Sequence, residues 1–258
     1  MLYSRRRTIN LGLAAGGVAL ALGRAALAEA VSGEAYPVQG GQIIVHPVQH
    51  ASFVMTTPGT VIYNDPVGGA ALYDGLPRPD LILITHEHPD HFDLPTLQAL
   101  AAGGVSLLTN ASVHGKLPDP LKAQATAIGV GERATVGAIG IEAIPAYNLS
   151  PDRLQFHPRA RGDNGYVLTI GGSRVYVAGD TEDTPEMRAL SGIDIAFVPM
   201  NLPYTMDVAQ AAAGVAAFAP GAVYPYHYRG SDPAEFARLL AASGTPTKVV
   251  LHDWYATA

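Results

Sequence analysis

The residues with the clearest chemical potential lie between positions 81 and 93, Leu-Ile-Leu-Ile-Thr-His-Glu-His-Pro-Asp-His-Phe-Asp. An apolar run ends at Thr85, and His86, His88, Asp90 and His91 follow at once. Alternate side chains share one side of an extended backbone, so His86 and His88 point the same way. Asp90 and His91 fall in a turn that can return them to the same point or to a neighbouring one. Three imidazoles and a carboxylate this close together suit a borderline divalent cation such as Zn²⁺. A solvated His-rich loop could use the same residues. This cluster, however, sits between a buried-looking strand and a capped helix, a context that favours metal.

Positioning such a cluster requires regular elements on both sides of it. Short β-branched or aromatic segments predict strands over 42–45, 52–57, 60–63, 81–85, 105–109, 139–144, 165–170, 174–178, 193–199, 222–225 and 248–251. Pro58-Gly59 and Gly171-Gly172 read as hairpin turns. Helical patterns cover 94–102, 184–190, 207–218 and 232–242, with Asp93, Asp207 and Asp232 as candidate N-caps. Strands dominate the first half, and β/α alternation becomes visible after Ile193. The stretches 114–124 and 149–164 read as loops. Nothing splits the chain after residue 28, so residues 29–258 read as one layered domain.

Composition narrows the class further. A chain of 258 residues with 48% apolar residues can bury a sizeable core, which excludes intrinsic disorder. With no cysteine there is no disulfide scaffold, thiolate zinc site, iron–sulfur cluster, cysteine nucleophile or lipoprotein anchor. Residues 1–28 carry Arg5, Arg6, Arg7 and Arg24 and no acid. The remainder holds 12 basic and 22 acidic residues, a net of −10. That balance does not favour nucleic-acid binding. The basic start, the short apolar stretch 11–23 and Ala26-Leu27-Ala28 have the plan of an export signal, and the paired arginines before Thr8-Ile9 resemble the twin-arginine type. The expectation is therefore a signal peptide over 1–28, delivery through the twin-arginine machinery, and a periplasmic or secreted product with no stable membrane anchor. An ordinary secretory signal and a retained anchor are the competing readings.

The string His86-x-His88-x-Asp90-His91 after an apolar strand resembles the metallo-β-lactamase superfamily of metal-dependent hydrolases. His50-Ala51-Ser52-Phe53 followed by Tyr63-Asn64-Asp65-Pro66 resembles the opening strands of its lactonase-like and phospholipase-D-like branch. Ala178-Gly179-Asp180-Thr181 and Tyr224-Pro225-Tyr226-His227-Tyr228 resemble two later strand ends that supply ligands. The resemblance spans nearly all of the chain after residue 28. It implies an α/β (α+β) fold, a four-layer αββα sandwich. It also implies two metal sites, with zinc as the expected ion and manganese as the harder alternative here: His86 and His88 on one, Asp90, His91 and His227 on the other, and Asp180 shared. Taken alone, Asp180 reads as a turn residue and His227 as a packed histidine; beside the 86–91 cluster both read as ligands.

One departure concerns the first metal, which in the family usually has a third histidine before the bridging aspartate. Here Asn148 stands near that place and His157 is the nearest histidine. His157 is the better expectation, because a neutral amide oxygen is a poor zinc donor. Asp65 is expected to hydrogen-bond a ligand histidine. His50 reads either as lining the pocket or orienting a ligand, or as a surface histidine at a strand end. Tyr204, on a pocket-edge loop, reads more readily as a packed tyrosine than as a donor to a substrate oxygen. His46, His114 and His252 have no assigned role.

The chemistry implied is hydrolysis of a small or lipid-like substrate at an ester, lactone or phosphodiester bond. The metal would make hydroxide available at neutral pH, and Asp90 would orient it and move a proton. The alternative is an exported metal-binding or partner-binding protein without turnover, which the departure at the third histidine motivates.

Overall fold

The computed structural model describes residues 33–256. The expected signal peptide over 1–28 lies outside the described residues. Fourteen strands form two seven-stranded sheets. The N-terminal sheet runs in sequence order: β1 (Glu34–Val38), β2 (Gly41–Gln49), β3 (Ser52–Thr57), β4 (Thr60–Asn64), β5 (Leu81–Leu83), β6 (Ser106–Thr109) and β7 (Ala125–Ala127). The C-terminal sheet runs from β8 (Arg133–Val136) through β9 (Ile139–Ala146), β10 (Asp163–Ile170), β11 (Ser173–Val177), β12 (Ile195–Pro199) and β13 (Ala222–Tyr226) to β14 (Lys248–Val249). Each sheet has four antiparallel strands followed by three added in parallel.

Alternation along the strands explains the layers. One face of each sheet is apolar and meets the other: Ile43, Phe53, Met55, Ile62 and Leu83 pack against Ile141, Tyr166, Leu168, Val177 and Phe197. Phe53 and Phe197 stack across the interface with centroids 3.9 Å apart. Truncating either ring would cost about 3–5 kcal/mol. The outer face of the N-terminal sheet (Val54, Tyr63, Ile82, Leu107) is covered by α1 (Leu94–Leu100), α2 (Ala111–Lys116) and α3 (Asp119–Lys122). The outer face of the C-terminal sheet (Tyr176, Ala196, Val198, Val223) is covered by α4 (Pro185–Arg188), α5 (Val208–Phe218) and α6 (Pro233–Ala242). The result is the expected αββα sandwich. No helix among the described residues is long and apolar enough to cross a membrane.

Several local expectations need correcting. The stretch 114–124 is not a loop, because it contains the second half of α2 and all of α3. Helices of six and four residues are too short to display a 3.6-residue period. β/α alternation therefore begins at β5 rather than after Ile193. Asp207 and Asp232 cap α5 and α6 as expected, accepting from Gln210 and Ala234 N–H groups. Asp93 precedes α1 without a side-chain cap bond and instead accepts the Gly68 N–H and the Thr96 hydroxyl. The predicted strand over 81–85 stops at Leu83, which frees Thr85 and His86 to turn into the space above the sheet edges.

Candidate metal centre

The polar residues gather where strands of both sheets end. His86, His88, Asp90 and His91 follow β5; Asp65 follows β4, Asp180 follows β11, and His227 follows β13. Asp180 turns inward through Gly179 at φ +65°, where a Cβ would lie 2.9 Å from the Asn164 carbonyl oxygen and 3.3 Å from Thr85 Cβ. Only glycine fits so close an approach in the left-handed region. Non-glycine residues with positive φ are uncommon. Of the four among the described residues, His50 (φ 51°), Asp65 (φ 41°) and His227 (φ 47°) belong to this centre. Such strain persists where surrounding structure enforces it, and it concentrates at functional sites.

The first group that could hold a metal is His86, His88, His157 and Asp180, whose candidate donor atoms lie within 4.8 Å of one another. His157 Nε2 is 3.3 Å from Asp180 Oδ2, and His86 Nε2 is 3.9 Å from the same oxygen. Arg161 reaches this group from the 3-10 turn Arg159–Arg161. Its guanidinium lies 2.9 Å from His88 Nε2 and 2.9 Å from His157 Nδ1, and it forks onto Asp163. A guanidinium only donates, so it meets these two nitrogens as acceptors only while the opposite ring nitrogens carry the protons; a metal on those opposite nitrogens would move the protons to His88 Nε2 and His157 Nδ1. Burial, followed by the neighbouring Arg161 charge, holds the His88 pKa down to about 4.

His157 arrives on a long loop, and that loop is anchored from below. Glu182 is fully buried and accepts the Leu149 and Ser150 N–H groups at 2.7 Å each, as well as Arg153 Nη1 at 2.7 Å. Arg153 also donates to the Thr205 carbonyl at 2.9 Å. Removing one partner of so buried a pair typically costs about 3–5 kcal/mol. The Asn148 amide is committed to this loop: its Nδ2 donates to the Arg153 and Tyr204 carbonyls at 3.0 and 2.7 Å. The structure thus brings His157 to the cluster and uses Asn148 to tie the loop together.

The second side holds His91, Asp180 and His227, and overlapping it His50, Asp90 and His227. His91 Nδ1 lies 2.8 Å from Asp65 Oδ2, and the Thr85 N–H and hydroxyl donate to the two Asp65 oxygens at 2.7 Å each. That fixes the His91 ring with its proton on Nδ1 and turns Nε2 toward Asp180 Oδ1, 3.2 Å away. His227 Nε2 lies 3.4 Å from Asp180 Oδ2 and 3.3 Å from Asp90 Oδ2. His50 Nε2 lies 3.1 Å from the same Asp90 oxygen. Tyr204 is exposed on the rim, edge-on to Phe156.

The donor set fits a divalent cation on observations independent of its motifs. His91 Nε2 and Asp180 Oδ1 are buried and form no hydrogen bond, although they face one another. Buried polar atoms are rarely left so, unless a ligand takes them up. The field points the same way. Burial disfavours a charged His91, yet Asp180 and Asp65 outweigh it and hold its pKa well above the usual value. A field that favours a protonated imidazole here favours a cation in the same place. Six of the nine histidines meet here; His46, His114 and His252 are in none of these groups. Arg161, Asp163 and Tyr255 were not singled out in the sequence. The turn Arg161-Gly162-Asp163 before β10 was the available signal for the first two, and Tyr255 gave none.

Comparison with known proteins agrees with this geometry. Residues 45–227 match the Beta-lactamase superfamily domain. A UPF0173 metal-dependent hydrolase of Pyrococcus furiosus is 30% identical over 78% of this chain and 92% of its own length. One of Thermus thermophilus is 32% identical over 71% of this chain and 83% of its own. Among solved structures, a protein of Parabacteroides distasonis described as a metal-dependent hydrolase superposes with TM-score 0.76 and 38% identity, covering 85% of this chain and 98% of that one. Igni18, a metallo hydrolase of Ignicoccus hospitalis, gives TM-score 0.69 at 26% identity, over 82% of this chain and 95% of its own. The fold is that of the metallo-β-lactamases, and the chain belongs to the UPF0173 family of metal-dependent hydrolases within that superfamily.

Proposed function

We propose that this protein hydrolyses an uncharged carboxylic ester or lactone at a two-metal centre. His86, His88 and His157 would hold one ion, Asp90, His91 and His227 the other, and Asp180 both. The observation that carries the reading is the convergence of imidazoles from both sheets on one buried carboxylate whose Oδ1 lacks a hydrogen bond. The histidine-rich donor set favours zinc, with manganese the harder alternative. A bound divalent ion of this kind supplies hydroxide at neutral pH and polarises the target oxygen.

The chain's own residues supply orientation. Asp65 fixes His91, Glu182 and Arg153 fix the loop that carries His157, and Asp90 is the one carboxylate of the set with substantial exposure, 47% of its side chain. Asp90 is thus able to meet substrate and to relay a proton to the leaving group. Leu149, Leu154, Leu202 and Tyr204 are exposed on two loops that meet beside His157. An apolar rim of this kind supports a substrate with an apolar portion in preference to a densely charged one.

The test is turnover by metal-loaded protein on a panel of p-nitrophenyl esters, lactones and phosphodiesters, with a chelator control. Chelator-sensitive ester or lactone hydrolysis is expected. Phosphodiester hydrolysis alone would move the assignment to that class, and no turnover at full metal occupancy would favour a metal-binding protein without catalysis. We further propose export by the twin-arginine route, on the strength of Arg5-Arg6-Arg7 and Ala26-Leu27-Ala28. Cell fractionation should find the processed chain outside the cytoplasm, and Arg5/Arg6→Lys should retain it inside.

A further inference from the structure

The last strand ends at Val249, and the chain then returns across the sandwich to the metal centre. Trp254 is fully buried, edge-on to Phe53 and Tyr226 in the core between the sheets. Its carbonyl accepts the His50 N–H at 3.0 Å. This anchor docks Tyr255 behind His50, with the Tyr255 hydroxyl 2.9 Å from His50 Nδ1. The same hydroxyl accepts the Tyr228 N–H at 3.0 Å.

The proton positions follow from this count. A phenol oxygen has one proton and a limited capacity to accept. With the Tyr228 amide donating to this oxygen and His50 Nδ1 at 2.9 Å, the Tyr255 proton goes to His50 Nδ1. A neutral imidazole that accepts at Nδ1 carries its own proton on Nε2. His50 Nε2 lies 3.1 Å from Asp90 Oδ2, so the His50 N–H donates to that carboxylate. The ring is fixed from a third side, since it lies against His227 with centroids 3.9 Å apart. The His50 backbone is held at φ 51°, a conformation that a non-glycine residue adopts at a cost.

We propose that His50 is a positioning residue for Asp90, and that Tyr255, from the C-terminal tail, sets the His50 tautomer. The tail is then part of the metal centre, although it lies beyond the matched stretch 45–227. Asp90 is the most exposed carboxylate of the cluster, so it has the most side-chain freedom to lose when it binds a cation. A donor fixed on one carboxylate oxygen restricts that freedom and leaves the other oxygen available to the ion. Direct ligation by His50 Nε2 would instead require Nδ1–H to donate to a hydroxyl that already accepts the Tyr228 amide.

This inference rests on the two-metal reading, and the experiment separates the two. Zinc is titrated into the chelator-stripped full chain against a chromophoric competitor, and the ion of the second side is identified as the one lost in His227→Ala. In His50→Phe the affinity for that ion should fall about 10–100-fold while the other ion is unaffected. His50→Gln, whose amide can still donate to Asp90, should stay within about 3-fold of the unsubstituted protein, and Tyr255→Phe should fall between the two. If His50→Phe does not fold, Tyr255→Phe weaker than His50→Gln is the deciding comparison. Equal weakening in His50→Gln and His50→Phe would overturn the proposal in favour of direct ligation. Unchanged affinity in all three variants, or parallel loss of both ions, would overturn it as well. Fewer than two ions bound by the unsubstituted chain would overturn the two-metal reading together with this one.

Discussion

The two sides of the metal centre share Asp180 and differ in nearly everything else. On the first side three imidazoles surround that carboxylate, and a guanidinium lies 2.9 Å from two of them. Asp163, the carboxylate beside His157, is occupied by the same guanidinium. On the second side two imidazoles are joined by Asp90, and Asp65 stands behind His91 at 2.8 Å. Each unit charge about 4 Å away matters by about 4 kcal/mol at an effective dielectric near 20. On the two-metal reading, the second side is therefore expected to bind a cation more tightly and, under limiting metal, to fill first. Imidazole number and affinity need not run together, because nearby fixed charge can outweigh a third neutral donor.

The largest effect should come from removing what the sides share. Asp180→Ala is expected to lose both ions and to reduce turnover on the order of 10³-fold or more, measured by elemental analysis and chelator-sensitive hydrolysis. Retention of either ion would break the comparison, since it would mean that the sides are independent. Next in size is Asp65→Asn, which removes the acceptor that orients His91. The second ion should bind about 10–100-fold more weakly while the first is unchanged, read by competitive titration.

Arg161→Met sharpens the contrast from the opposite direction. Without the guanidinium, Asp163 Oδ2, 3.6 Å from His157 Nδ1, becomes free to accept its proton, so the first ion should bind about 10-fold more tightly. The same change removes the guanidinium from a buried carboxylate, so metal-free stability should fall by about 3–5 kcal/mol in urea unfolding. The smallest effect concerns pH. His88 has its folded pKa depressed to about 4, whereas the unfolded value is near 6.5, so in that window the unfolded chain binds the extra proton. Its contribution to stability is present above pH 6.5 and is lost as pH falls toward 4. In chelator, His88→Gln should therefore show a shallower loss of stability between pH 7 and pH 5 than the unsubstituted protein.

The first half of the centre was legible because four of its polar residues sit within one turn after a single apolar strand. Asp180 and His227 were legible for a related reason, each being a polar residue directly after a buried strand. His157 was harder to read, because its approach depends on a loop tied by Glu182 and Arg153, which are 29 positions apart. Arg161 was marked only by the turn Arg161-Gly162-Asp163 before β10, which does not by itself point to a metal site. Tyr255 meets His50 across 205 positions, a pairing that no local period records. The layered fold followed from the strand pattern and the family resemblance. The short helices α2 and α3 did not, because a helix of one or two turns leaves little periodicity to detect.

The central claim is that both sheets together build a two-metal centre with unequal sides. Stepwise calorimetric titration of zinc into the chelator-stripped full chain tests it most directly. The account predicts two ions per chain in two separable steps at least about 10-fold apart in affinity, with the tighter step lost in His227→Ala. Binding of a single ion, or of none, would contradict it.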